Sequence, residues 1–260
     1  MMPPAEAIQT VGHGPKLLFI HGTATDKSMW RVPIELLRER MQSTAYDRRG
    51  AGRWSLPNDR PWPLVRDHVD DAADLILSLG GEPMHVCALS FGAVVALELA
   101  LRRPELVRSA VLFEPALSGS EDRCPVPRDL LEEFERRIAA GEPECAAEYF
   151  CRRSLGDLTW GALPLIVRRA AMNNWRHIRA DLLANAAHRV RYGALRAVHV
   201  PVLLLQGGRS RAVFEPCLRT LAAMLPRVRW QRVEHAAHLP SGSAWPEFAA
   251  LVESFVDCIS

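Results

Sequence analysis

Apolar residues in this chain gather in short unbroken runs, separated by longer polar or helically spaced segments. "KLLFIHG", "MHVCALS", "SAVLFEP" and "VPVLLLQGG" carry almost no alternation and are bounded by polar residues, Gly or Pro. Strands buried on both faces read this way, because a parallel sheet covers both sets of side chains. Helical spacing fills the intervals between the first three runs, as in "LVRDHVDDAADLILSLG", which closes on a glycine pair suited to a helix stop. The alternation predicts an α/β fold: a mostly parallel central sheet with helices on both faces. Chemistry in such sheets collects at the carboxyl ends of the strands, which here read "HGT", "ALSFG", "FEP" and "QGG".

From about Leu117 to Arg196 the pattern changes. "RDLLEEFERRIAAG", "CAAEYFCRRS" and "LPLIVRRAAMNNWRHIRADLLANAAHRV" are amphipathic and rich in Arg and Glu, and no strand-like run interrupts them. The economical division is a core of residues 1–116 and 197–260, with a helical cap of residues 117–196 inserted between late strands. The plainer alternative is a thicker helical layer with no role as a lid.

Composition narrows the function classes. The 260 residues are 48% hydrophobic and 24% charged, with a formal net charge of +2, so no strong field would recruit nucleic acid or an anionic membrane. All basic residues except Lys16 and Lys27 are arginines, scattered rather than striped. The amino terminus lacks a basic region followed by an apolar one, and no apolar stretch is long enough to span a bilayer. Cys87, Cys124, Cys145, Cys151, Cys217 and Cys258 form no CxxC pair, which reads as free thiols in a reducing cytoplasm and argues against a zinc site.

The chemistry centres on "MHVCALSFGAVVALELA". Ser90 stands where a strand-like run meets a helix-like one. A serine is a poor nucleophile unless a base lies within hydrogen-bond reach. A sharp strand–turn–helix elbow exposes its hydroxyl and aims the first helical N–H groups at a developing oxyanion. Such a turn crowds strand against helix, so the flanking positions must be small, as Ala88 and Gly92 are. The competing reading makes Ser90 an ordinary N-cap of a helix from Phe91 to Leu101.

"LLFIHGTATDKSMW", "AYDRRGAGRWS", "MHVCALSFGAVVALELALRRPELVRSAVLFEPAL" and "EHAAHLPSGSAWPEF" resemble, in order, the blocks of the α/β-hydrolase superfamily. The resemblance spans nearly the whole chain outside the cap. It is specific for the fold and much less so for the reaction. It implies that the backbone N–H groups of Thr23 and Phe91 form the oxyanion hole, with His21 orienting the first of these loops. The base is expected between the last strand-like run, "VRWQRVE", and the amphipathic terminal helix, which makes it His238, with His235 as competitor. The family commonly keeps an aspartate after the penultimate strand, but Ser210 and Arg211 stand there, and an arginine would oppose an imidazolium. Some members carry the acid one strand earlier, which points to Glu114, with Glu215 as fallback. Ala88 and Ala237 replace glycines of the usual pattern, and Trp54 replaces a serine.

With those roles the resemblance implies a serine-dependent hydrolase of esters, thioesters or lactones that requires no metal or organic cofactor. C–C bond cleavage or cyclisation with the same residues, and a non-catalytic binder on the same fold, stay open. Trp30, Met172, Trp175 and Leu239 are the candidate contacts to a small hydrophobic substrate, the one partner class implied. Trp54 is a candidate for narrowing the entrance.

Overall fold

The computed structural model describes residues 1–55, 61–121 and 123–259. A seven-stranded sheet forms its centre, in the order β1-β3-β2-β4-β5-β6-β7. The strands are β1 (Ile8–Val11), β2 (Lys16–Ile20), β3 (Gln42–Tyr46), β4 (Met84–Leu89), β5 (Val107–Phe113), β6 (Val202–Gly207) and β7 (Val228–Val233). All neighbours pair in parallel except β1, which runs antiparallel to β3 at the edge. The four unbroken apolar runs are β2, β4, β5 and β6, and every residue of β4 and β6 is buried. β1 and β3 are too polar to stand out as such runs: "IQTV" lies on the edge, and "QSTAY" buries Ser43 and Thr44.

Helices cover both faces. α1 (Arg31–Leu37) and α10 (Ala244–Asp257) pack on one side, against β-strand residues such as Phe19 and Phe113. α2 (Val65–Ser78), α3 (Phe91–Arg102) and α9 (Glu215–Met224) lie on the other. α2 stops before Gly80 and Gly81, both at positive φ, where a side chain would be strained. Between β5 and β6 the regular elements among the described residues are all helical: α4 (Arg128–Ala139), α5 (Pro143–Leu155), α6 (Asp157–Ala162), α7 (Leu165–Asn173) and α8 (Trp175–Ala187), followed by a short 3-10 segment, Tyr192–Ala197. These helices have small apolar cores of their own, one around Phe134 and Ile178 and one around Trp160 and Cys151.

Close approach of α3 to the sheet positions the elbow. A Cβ on Gly92 would lie 2.5 Å from the backbone oxygens of both Ile20 and His21. Neither oxygen can move without breaking the β2 strand end. Gly92→Ala is therefore expected to destabilise the fold by about 1–3 kcal/mol, the usual range for overpacking, seen as a lower urea midpoint with an unchanged m-value.

Candidate functional site

Ser90 follows β4 directly and has φ 56° and ψ −119°, so it occupies a strained turn. Among the described residues, the non-glycine positions with positive φ are Ala24, Ser90 and Glu114. Ser90 and Glu114 are proposed site residues, and Ala24 directly follows a third, Thr23. Strain of this kind costs about 1–3 kcal/mol and persists where surrounding contacts over-determine it. At Ser90 those contacts are its N–H donating to the Phe113 carbonyl (2.9 Å) and its carbonyl accepting from Ala116 (3.1 Å). The residue is thereby tied to the end of β5, the segment that carries Glu114.

Glu114 is fully buried. Its Oε1 accepts from the Gly207 N–H at 2.8 Å, and its Oε2 lies 2.7 Å from His238 Nδ1. The carboxylate reaches across the end of β6 to the loop after β7, a span for which the extra methylene of glutamate over aspartate is useful. A proton on Nδ1 donates to the carboxylate and leaves Nε2 as the basic nitrogen. The Phe214 ring stacks on His238 with centroids 4.0 Å apart and planes within 8°. No sequence signal marked Phe214; it enters because the segment after β6, which lacks the usual aspartate, continues into a 3-10 turn, Ala212–Phe214. Arg211 points away and donates to the Arg153 carbonyl at the end of α5. Glu215 is paired with Arg219 on its own helix. His235 is exposed, 3.4 Å from Glu247.

Ser90 and His238 open onto the same cavity, of about 430 Å³. No hydrogen bond joins the Ser90 hydroxyl to the ring in this conformation; such bonds often tighten only when substrate is bound. Thr23 and Leu239 line the cavity on the core side, and Phe150, Trp160, Leu163 and Val167 line it from α5 to α7. Among the described residues the lining holds one formally charged group, the carboxylate of Asp26. Three of the expected substrate contacts, Trp30, Met172 and Trp175, do not line this cavity. Trp30 is fully buried between Phe19, Trp245 and Phe248, because a large apolar ring gains more from the core than from a pocket wall. Met172 packs beside Trp160 and Cys151, and Trp175 packs on the Phe134 cluster under Arg176. Trp54 is likewise buried, with the Arg49 guanidinium 5.6 Å from its ring centroid, and it does not line the cavity.

Behind the Thr23 and Phe91 loops lies a polar cluster that the sequence did not mark: Arg48, His68, His177 and Asp181, all buried, beside His21. Arg48 forms a two-pronged ion pair with Asp181, at 2.9 and 2.7 Å. Burial alone would raise Asp181, but Arg48 and then His177 reverse this and hold its carboxyl well below the usual range. Burial, with Arg48 adding to it, pushes His21 and His68 well below the ordinary imidazole value. Burial also brings His177 down to about 4, against the pull of Asp181. Among the described residues no group of three or more His, Cys, Asp or Glu side chains could hold a metal ion. No described helix is long and apolar enough to cross a membrane.

Residues 17–251 match the model of the alpha/beta hydrolase family. The chain belongs to that family of enzymes, as the parallel sheet and the elbow after β4 would lead one to expect. It is 28% identical over 265 residues to the pimeloyl-[acyl-carrier protein] methyl ester esterase of Methylococcus capsulatus, covering 96% of this chain and 97% of that protein. A more local likeness, 35% over 109 residues, joins it to an uncharacterised hydrolase of Bacillus subtilis, spanning 42% of this chain and only 40% of that one. The fold superposes with a TM-score of 0.81 on a thermophilic esterase from Thermogutta terrifontis, 21% identical, covering 97% of this chain and 93% of that one.

The depressed histidines set a direction for pH dependence. Each is neutral in the folded protein and protonates more readily when unfolded. Their contribution is complete above the unfolded value near 6.5 and is lost as pH falls toward the folded value, about 4 for His177. Between about pH 8 and about pH 5, His177 alone should remove on the order of 2 kcal/mol of stability. Urea unfolding at the two pH values checks this, and His177→Gln should reduce the difference by about that amount, leaving the shares of His21 and His68.

Proposed function

We propose that the protein is a serine hydrolase that cleaves an ester, thioester or lactone bond of a small apolar substrate. The observation that carries this reading is the buried Glu114–His238 hydrogen bond of 2.7 Å beside a strained Ser90 that opens on the same apolar cavity. In the proposed mechanism His238 Nε2 takes the proton of Ser90 as Oγ attacks the carbonyl carbon. Glu114 holds the ring with its proton on Nδ1 and stabilises the transient imidazolium. The N–H groups of Thr23 and Phe91 receive the oxyanion; Phe91 is the first residue of α3, so its N–H has no partner within the helix. His238 then protonates the leaving alcohol or thiol. A water molecule, activated by the same ring, releases the acid and restores Ser90.

The helices of residues 117–196 act in this reading as a cap over the carboxyl edge, since α5 to α7 supply much of the cavity wall. A volume of about 430 Å³ suits a medium-sized acyl group. The scarcity of charge in the wall favours an uncharged acyl chain over a free carboxylate, which would have to be buried without a cationic partner. The esterase names of the relatives support ester cleavage over the C–C and cyclisation alternatives.

A fluorophosphonate probe with intact-mass readout tests the proposal. Labelling of the folded protein should disappear in Ser90→Ala, and unlabelled folded wild type would favour a binder. In p-nitrophenyl ester assays Glu114→Gln should lower kcat by roughly 10²–10⁴ through loss of the productive tautomer, while Glu215→Gln should leave it near wild type.

A further inference from the structure

We infer that Arg48 and Asp181 are positioning residues that build the proposed oxyanion hole from behind. The inference rests on the reading of Thr23 and Phe91 as the oxyanion donors and adds what sets their geometry and donor strength.

Arg48 lies just after β3 and is completely buried. Its guanidinium touches both donor segments at once. Nε donates to the His21 carbonyl at 3.0 Å and Nη2 to the Gly22 carbonyl at 3.2 Å. Its Cζ sits 4.8 Å from the centroid of the Phe91 ring, a cation–π contact on the residue whose N–H is the second donor. Asp181, on α8, completes the arrangement. It takes both terminal nitrogens of Arg48 and also accepts from Thr23 Oγ1 at 2.8 Å. One carboxylate from the inserted helices thus fixes the side chain of the first donor residue and orients the arginine that holds the second.

The Gly22 carbonyl matters most, because it and the Thr23 N–H belong to one planar peptide unit. That oxygen lies within hydrogen-bond distance of three groups: Arg48 Nη2, Thr25 Oγ1 at 2.9 Å and His21 Nδ1 at 2.9 Å. The His21 tautomer is assigned from its other nitrogen, since Nε2 accepts from the Arg48 backbone N–H at 2.9 Å, which leaves the proton on Nδ1. Donors on a carbonyl draw electron density toward its oxygen and make the N–H of the same peptide a stronger donor. The ion pair is neutral as a whole, so it acts through peptide polarisation and geometry rather than through net charge. A lysine in place of Arg48 keeps the charge but cannot span two carbonyls and a carboxylate together. His68 joins the cluster, its ring edge-on to Phe91 at 5.6 Å and its Nε2 4.0 Å from Asp181 Oδ1.

Steady-state kinetics on a p-nitrophenyl ester, paired with the affinity of a trifluoromethyl ketone of the same acyl chain, tests the inference. Arg48→Lys should lower kcat by about 10-fold, less than the loss of a whole oxyanion donor, with KM within about twofold. The ketone, which forms an oxyanion on Ser90, should weaken by the same factor as kcat/KM. Thr23→Val, which removes the Asp181 contact and keeps the N–H, should show a smaller loss with the same kcat-against-KM split. If Arg48→Lys does not fold, Arg48→Met/Asp181→Leu leaves no orphaned charge and should show the kcat and ketone losses together. Unchanged kcat and ketone affinity in a folded variant, with turnover still dependent on Ser90, would overturn the role of the pair alone. Turnover that survives Ser90→Ala would overturn instead the reading on which it rests.

Discussion

A carboxylate without solvent exposure, held between the Gly207 N–H and the His238 ring, is the constraint on which the carboxyl edge of this sheet depends. Burying Glu114 is costly unless its oxygens are satisfied, and each oxygen has a partner on a different element. One bond closes across the end of β6 and the other reaches the loop after β7. The imidazole is then restricted from two sides, by the carboxylate at its edge and by Phe214 on its face. In the proposed mechanism that restriction takes the place of an aspartate after the penultimate strand, where Ser210 and Arg211 stand. Arg211 at that position is harmless because its guanidinium is turned toward α5.

A second constraint meets the first at Ser90. The elbow exists because α3 comes so close to β2 that only a glycine fits at position 92, and because Gly22 crowds Leu89 and Ser90 from the neighbouring loop. The Gly22 carbonyl also accepts from the Arg48 guanidinium of the polar cluster. The same short turn therefore meets the strained serine on one side and the buried ion pair on the other. Strain, close packing and polar satisfaction converge within a few residues, a concentration expected of a reactive site rather than of a structural cap.

The large features of this arrangement were legible because they follow from burial. Strands covered on both faces must be apolar without alternation, so β2, β4, β5 and β6 could be read directly. A turn that crowds strand against helix must be flanked by small residues, which marked Ser90. Ser210 and Arg211, where an aspartate was expected, turn the expectation of an acid one strand earlier, to Glu114, whose carboxylate lies 2.7 Å from His238 Nδ1. Edge strand β1 and the polar β3 were not legible as apolar runs, because edge and semi-polar strands lack the signal. The fates of Trp30, Met172 and Trp175 were hidden for another reason: an aromatic or thioether side chain looks the same in sequence whether it faces a ligand or a core. Arg48, His177 and Asp181 lie 133 residues apart at their extremes, and only the packing of α8 over the β2 and β3 loops brings them together.

The proton between Glu114 and His238 is the most direct witness to the central claim, that this carboxylate holds the imidazole. Nitrogen-edited proton NMR of histidine-labelled protein should reveal a strongly deshielded Nδ1 proton that vanishes in His238→Gln and in Glu114→Gln and persists in Glu215→Gln. Its survival in Glu114→Gln, or its loss in Glu215→Gln, would place the carboxylate elsewhere and contradict the account.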